Sequence, residues 1–360
     1  MVSLRSRLAR YGHKVHVLGE LLTQHVSRPD VAIIGSVHKN NVGDMALSHS
    51  VQHVLGEHAV HGGMQMIGGG RLGLSKWPFG HKAIVAGGAL GREKVLRTVV
   101  QKYLTDPQDV AMVGMAFWSF DDLSEETLRF LRDAAFLSCR NRRDVEELSN
   151  RGIEAEFAYD NAFSLPQNDG EREDRTLGVN VVPRHMKRQD GKYVPSEANP
   201  RFGRSYARVL RDIVADYLAK GWDVIHVPFT TQDEDLSRQV FRGMDVHCRG
   251  YTFDVEETSR AVSACSRFIG TRYHAHVFAL KSMVPFYSVS YARKCRHLRE
   301  ELGIPAHLQA TRKDIVEQPG AIVDRFTSRD GFVLSERKLS SVKKSARSSI
   351  EEAAHSVGVL

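Results

Sequence analysis

Short apolar runs that stop at glycine or another small residue, each followed by a helical stretch, recur along most of this chain. The runs VAIIG at 31–35, KAIVAGGALG at 82–91, DVAMVGMAF at 109–117 and AAFLSCR at 134–140 read as buried strands. Between them, MALSHSVQHVLGEH, EKVLRTVVQKYL and SEETLRFLRDA read as helices. Ser124 is the expected N-cap of the last of these, with Glu125 and Glu126 in its first turn. Parallel strands need a crossover long enough to hold a helix, so this alternation implies βαβ units. A polar, charged segment at 167–176 interrupts the pattern, which then restarts with TLGVNVVP, WDVIHVPF, RFIG and VPFYSVSY as strands. The expected fold is therefore α/β, with two parallel-sheet domains facing a cleft. Residues 1–166, including an N-terminal helix, form the first domain, 167–176 the linker, 177–320 the second, and 321–360 a helical tail that frays at its end.

A chain of 360 residues, 42% hydrophobic and 26% charged, can support two cores. No apolar run reaches the roughly 18 residues needed to cross a bilayer, and the N-terminus lacks a secretory h-region. A cytoplasmic protein is expected, with the inner face of the membrane as a second site. Leu4, Leu8, Val15, Leu18 and Leu22 recur at helical spacing among Arg and Lys. A helix packed on its domain is the preferred reading over one lying on a membrane. The formal net charge of +7 suits an anionic small molecule, an anionic glycan or a membrane surface. No RNP-like, zinc-finger or helix-turn-helix pattern is present, so nucleic acid is not an expected partner. The four cysteines form no C-x-x-C pair and are expected to be reduced thiols.

In open parallel sheets, ligands bind outside the carboxyl ends of the strands. The residues just after each strand are therefore the candidates. In GSVHKNNVGDMAL, Asn41, Gly43 and Asp44 stand where a helix begins. They form either a capped junction or a set of side chains that binds hydroxyls. Gly87 and Gly88 follow KAIVA directly, which suits a backbone that must approach a ligand closely. The string GGGRLG at 68–73 satisfies G-x-G-x-x-G, but it follows no convincing strand and lacks the acidic ribose partner. Arg140 ends a strand, with Arg142 and Arg143 behind it. It is either solvated or a bidentate donor to a carboxylate or phosphate. In FIGTRYHAHVFAL, Arg272, His274 and His276 stand where a helix follows a strand, a place that favours anions. His276 reads as a buried structural residue. Tyr291, Arg293 and Lys294 follow the next strand and add positive charge. His49 and His53 are four apart on a helix but have no H-E-x-x-H glutamate, so neither a metal nor a cofactor is expected.

The order of NVGDMAL, IVAGGAL, SCRNRRDVEEL with YDNAF, and GTRYHAHVFAL with VPFYSVSYARK resembles the polysaccharide pyruvyl transferase family, from about residue 31 to about residue 305. That resemblance implies a GT-B-like fold of two Rossmann-like domains with the active site between them. It also implies phosphoenolpyruvate (PEP) as co-substrate and a saccharide acceptor. Arg272 and His274 match the family's R-x-H motif, in which the arginine binds PEP and the histidine is a proposed acid. Arg140 matches its strand-end arginine, Asn41 and Asp44 its N-x-G-D loop, and Tyr291 and Lys294 its Y-x-x-K segment. Tyr273 replaces a frequent Leu, and Asp144 stands where many members have Ser.

The expected function is transfer of a pyruvyl group from PEP onto a sugar of a polysaccharide or its lipid-linked or nucleotide-linked precursor, forming a ketal. A lipid-linked acceptor would bring the protein to the membrane as a peripheral partner. Two rival readings remain: a GT-B glycosyltransferase using a nucleotide sugar, and a non-catalytic protein that binds anionic glycans.

Overall fold

The computed structural model describes residues 31–35, 40–61, 82–97, 106–168, 171–290 and 292–360. The amphipathic N-terminal stretch, the 68–73 glycines and Tyr291 lie outside the described residues, as do Asp169 and Gly170 of the linker and residues 98–104 of the expected EKVLRTVVQKYL helix.

Backbone contacts divide the chain into two compact units. One contains residues 31–35, Gly43–Pro166 and Glu336–Leu360; the other contains Asn40–Val42 and Gln167–Ser335. This grouping differs from a linear division into two domains and a tail, because the last 25 residues belong with the first sheet.

The first unit is built on β1 (Val31–Ile34), β2 (Ala59–His61), β3 (Ala83–Val85), β4 (Gly88–Gly91), β5 (Val110–Phe117), β6 (Phe136–Cys139) and β7 (Glu156–Phe157). All pairings are parallel in the order β2-β1-β3-β5-β6-β7, with β4 added alongside β5. Counting without β4, this is the flavodoxin-like order, whose switch point lies between β1 and β3. Both faces are covered, which explains strands that are apolar throughout rather than alternating. Val31, Ile33, Ile84, Ala111 and Val113 pack against Val51 and Leu55 of the Val42–Leu55 helix. On the other face, Ile34, Val85 and Met112 meet Leu131 and Leu148 of the Glu125–Asp133 and Arg142–Ser149 helices.

The expected C-terminal helix is present as Glu336–Ser356, and it is part of this core. Leu339, Val342, Ala346, Ile350 and Ala353 recur every three or four residues and are buried. Ile350, Ala353 and Ala354 join the cluster around Val31 and Ile33. The small residues that make the segment look polar allow close approach: Ser349 Oγ lies 2.7 Å from Ser138 Oγ of β6.

The second unit contains β8 (Thr176–Val179), the antiparallel hairpin β9 (Met186–Gln189) and β10 (Lys192–Pro195), then β11 (Asp223–His226), β12 (His247–Cys248), β13 (Arg267–Gly270), β14 (Phe286–Ser290) and β15 (Gln309–Thr311). Its six-stranded sheet runs β12-β11-β8-β13-β14-β15, all parallel. In order of appearance this is 3-2-1-4-5-6, the Rossmann order, with its switch point between β8 and β13. The Pro200–Ala219 helix starts where Asn199 Oδ1 accepts the Phe202 N–H at 3.3 Å and Pro200 occupies the first turn. Its buried face, from Phe202 to Tyr217, packs on Leu177, Val179, Val224 and Ile269. Fully burying such a side chain contributes about 1.5–3 kcal/mol. The two Rossmann-like parallel sheets expected of an α/β chain of this kind are both present.

Candidate functional site

At the switch point of the second sheet, three strand ends converge on one arginine. Asn180 follows β8 immediately; its Oδ1 accepts the Arg272 backbone N–H at 2.9 Å, and its Nδ2 donates to Val227 O at 3.1 Å. Arg272 stands two residues beyond β13, in extended conformation, as the residue before the Tyr273–Lys281 helix. Its guanidinium donates through Nε and Nη2 to the two carboxylate oxygens of Asp233, both at 2.6 Å, and through Nη2 to Thr230 Oγ1 at 3.1 Å. Asp233 is completely buried, and the arginine side chain keeps only 17% exposure. The same carboxylate accepts the Phe229 N–H at 3.1 Å, and Thr230 Oγ1 caps the Asp233 backbone at 3.1 Å. The fork is therefore fixed in plane and direction, as a bidentate pair requires. Behind it, the Tyr206 hydroxyl accepts the Val182 N–H and lies 3.0 Å from Thr271 Oγ1, while burial pushes its pKa up.

All nine residues of the Tyr273–Lys281 helix are buried. His274 is its second residue, with its ring edge-on to Tyr273 at 5.1 Å. The Lys294 ammonium, in the first turn of the Arg293–Leu302 helix after β14, lies 5.6 Å from the centre of the Tyr273 ring. Arg272, Tyr273, His274 and Lys294 thus share the carboxyl edge of β13 and β14. His276 faces inward and hydrogen-bonds Gly270 O through Nε2 at 2.7 Å. Burial lowers its pKa to about 4, against the raising effect of that bond. It is a structural histidine.

The carboxyl edge of the first sheet carries the other candidates. Gly87 and Gly88 have φ values of 71° and 81°, and a Cβ on Gly87 would fall 2.0 Å from Val113 O. Asn161 Nδ2 donates to Val113 O at 3.3 Å and Ala86 O at 3.5 Å, tying the end of β3 to the middle of β5 beside this turn. Arg140 follows β6 and donates from Nη1 to Asp160 Oδ2 at 2.6 Å, with both side chains buried. The solvated reading of Arg140 is thereby excluded; its charge is compensated inside the unit. Asp144 Oδ2 accepts the Phe117 N–H and Asn141 Nδ2, both at 2.8 Å, so this departure from the family pattern anchors the helix start to β5.

Asn41 directly precedes the Val42–Leu55 helix, and Gly43 and Asp44 lie within its first turn, so Asp44 does not occupy the cap position. Next to Asn41, Asn40 exchanges two hydrogen bonds with Thr231, at 2.6 and 3.1 Å. His49 is half-buried and His53 exposed on the same helix. Among the described residues, no three His, Cys, Asp or Glu side chains are grouped to hold a metal.

A family model described as polysaccharide pyruvyl transferase matches residues 114–293, half of the chain. The chain belongs to that family. The match includes Arg140, Asp160, Asp233, Arg272 and His274. Among solved structures, an uncharacterised protein from Klebsiella pneumoniae is 11% identical with a TM-score of 0.42, covering 82% of this chain and 97% of its own. The UDP-GlcNAc 2-epimerase of Methanocaldococcus jannaschii is 11% identical with a TM-score of 0.43, covering 86% and 80%. The corresponding enzyme of Neisseria meningitidis, bound to UDP-GlcNAc, is 8% identical with a TM-score of 0.39, covering 94% and 79%. No curated protein matches the chain.

Asn180, Thr230 and Asp233 were missed in the sequence, as were the roles of Asp160 and Asn161. A signal existed for the middle pair. Thr230 and Asp233, three apart after the WDVIHVPF strand, form a cap motif at a strand end, the place where ligands of such sheets bind.

Proposed function

We propose that this chain transfers the pyruvyl group of PEP onto a saccharide and closes it into a cyclic ketal. The observation that carries this reading is the immobilised Arg272 guanidinium at the switch point of a Rossmann-like sheet, within the segment matched by the family. Ligands of such sheets bind there, and PEP brings about three negative charges near neutral pH that must be met by fixed donors.

In this scheme Arg272 binds PEP, and Lys294 adds charge at the edge of the same sheet, with Tyr291 beside it in sequence. His274, the second residue of the helix that Arg272 precedes, supplies a proton to the methylene carbon as general acid. The C2 centre becomes oxocarbenium-like and an acceptor hydroxyl adds to it. Phosphate then leaves with the C2–O bond electrons, and a second hydroxyl adds at the same carbon. Of the two hydroxyl protons, one ends on the new methyl group through the acid and the other on phosphate. Asp44 orients or deprotonates the acceptor hydroxyl, and Asn41, Gly43, Gly87 and Gly88 serve as substrate-binding residues. Arg140 contributes a fixed guanidinium at the carboxyl edge of the first sheet. The scheme uses neither a metal nor a cofactor. A lipid-linked acceptor would hold the protein at the cytoplasmic face of the membrane. No helix among the described residues is long and apolar enough to cross that membrane.

Ligand-induced thermal stabilisation tests the donor. A ligand binding only the folded state stabilises it by about 2.7 kcal/mol at a hundredfold excess over Kd. PEP should raise the melting temperature by a few degrees, unaffected by a chelator, and the shift should shrink with salt. Stabilisation by UDP- or GDP-sugars and none by PEP would replace this reading with a glycosyltransferase. Binding of anionic saccharide without pyruvate incorporation would replace it with a glycan-binding protein.

A further inference from the structure

Trp118 follows β5 directly and, among the described residues, is the one aromatic side chain left exposed, at 56%. Its backbone N–H donates to Gly91 O, the last residue of β4, at 3.1 Å. The Trp118 main chain is therefore held at the carboxyl edge of two neighbouring strands. The next residue after β4, Arg92, lays its guanidinium 3.6 Å from the centre of the indole ring. Among the described residues this guanidinium enters no ion pair, which leaves its five N–H donors available. In the same segment, Phe117 and Phe120 stack at 4.8 Å, and Arg151 sits over Phe120 while bonded to Glu147 and Asp121. The residues on both sides of Trp118 are thus held by ring stacking and ion pairs.

A single exposed apolar side chain needs no explanation. An exposed indole held by its own backbone bond, with a cation fixed on one face, is a different object. Cation–π contact orients the ring and leaves the rest of its surface in water. A sugar ring has a face of C–H groups that fits an indole and a rim of hydroxyl or carboxylate oxygens that fits guanidinium donors. We propose that Trp118 and Arg92 form a stacking subsite for the acceptor saccharide. This rests on the saccharide half of the proposed function and not on the identity of the donor.

The test uses fluorescently tagged full-length protein on an array of bacterial cell-surface oligosaccharides and polysaccharides. Wild type and Trp118→Phe should bind a common set of saccharides. Trp118→Ala should lose about tenfold or more in apparent affinity for that set, and Arg92→Ala should lose most for its acidic members. The melting temperature and the PEP-induced shift of Trp118→Ala should match wild type, which separates a lost subsite from a lost fold. Equal binding by wild type and Trp118→Ala overturns the proposal. So does the absence of any bound saccharide, or Trp118-dependent binding to phosphatidylglycerol vesicles in its place. A missing PEP shift in all variants would remove the donor assignment and leave the array result to stand alone.

Discussion

At the scale of single residues, the informative contrast is between Asp233 and His274. Asp233 spends both carboxylate oxygens on Arg272 and has no exposed surface. Breaking a buried pair by removing one partner costs about 3–5 kcal/mol. Asp233→Asn should therefore lower the melting temperature and loosen the guanidinium, weakening PEP binding at least about tenfold. His274→Ala should leave PEP binding intact and reduce turnover about a hundredfold. Isothermal titration with PEP and steady-state turnover distinguish the two. Equal loss of binding in both variants would remove His274 from the acid role. Arg272 and His274 are visible in sequence because strand-end logic picks out cations after an apolar run. Asp233 is not, because its partner lies 39 residues away and only the β8–β11–β13 adjacency brings them together. For the same reason Arg140 looked open to two readings until Asp160, 20 residues on, closed its charge.

At the scale of elements, the turns and helix ends were legible wherever a local rule decides them. Ser124 accepts the Thr127 N–H at 3.2 Å, as an N-cap should. The Glu336–Ser356 helix is legible as a helix, but its burial is not, because its buried face is written partly in Ala and Ser, whose value lies in close approach to a sheet the sequence does not place beside it. The Gly87 turn allows a quantitative test of what such local signals mean. Gly191 in the β9–β10 hairpin also has positive φ, at 76°, but a Cβ there meets nothing within 4 Å. Gly191→Ala carries only the left-handed cost of about 1–2 kcal/mol. Gly87→Ala adds a collision with the β5 backbone that the Asn161 tie prevents from relaxing. Thermal melts should show a drop of a few degrees for Gly191→Ala and a much larger drop, or insoluble protein, for Gly87→Ala. Similar drops in both would show that the β3–β5 edge is softer than its hydrogen bonds imply.

At the scale of the whole molecule, the balance of the second core against proton uptake sets how the protein responds to acid. His226 ends β11 fully buried, and among the described residues neither ring nitrogen has a hydrogen-bond partner. Burial lowers its pKa from 6.5 to about 4, outweighing Asp233 and Glu234, which act to raise it, while Arg238 lowers it further. His276 is lowered to about 4 as well. Both groups are neutral in the folded state until the pH nears 4, whereas in the unfolded chain each takes up a proton below about 6.5. The unfolded state then binds more protons, so stability rises with pH through this window and is lost as the pH falls from 6.5 toward 4. Each histidine contributes up to about 3 kcal/mol to that loss. Urea midpoints should be level between pH 7 and 8 and fall steadily from pH 6.5 to 5. His226→Leu, which removes one titrating group at similar volume, should roughly halve the slope in the upper part of that window. A wild-type slope retained in His226→Leu would mean that the ring is already hydrated or charged in the folded protein, and that the β11 end is not the dry core its burial describes.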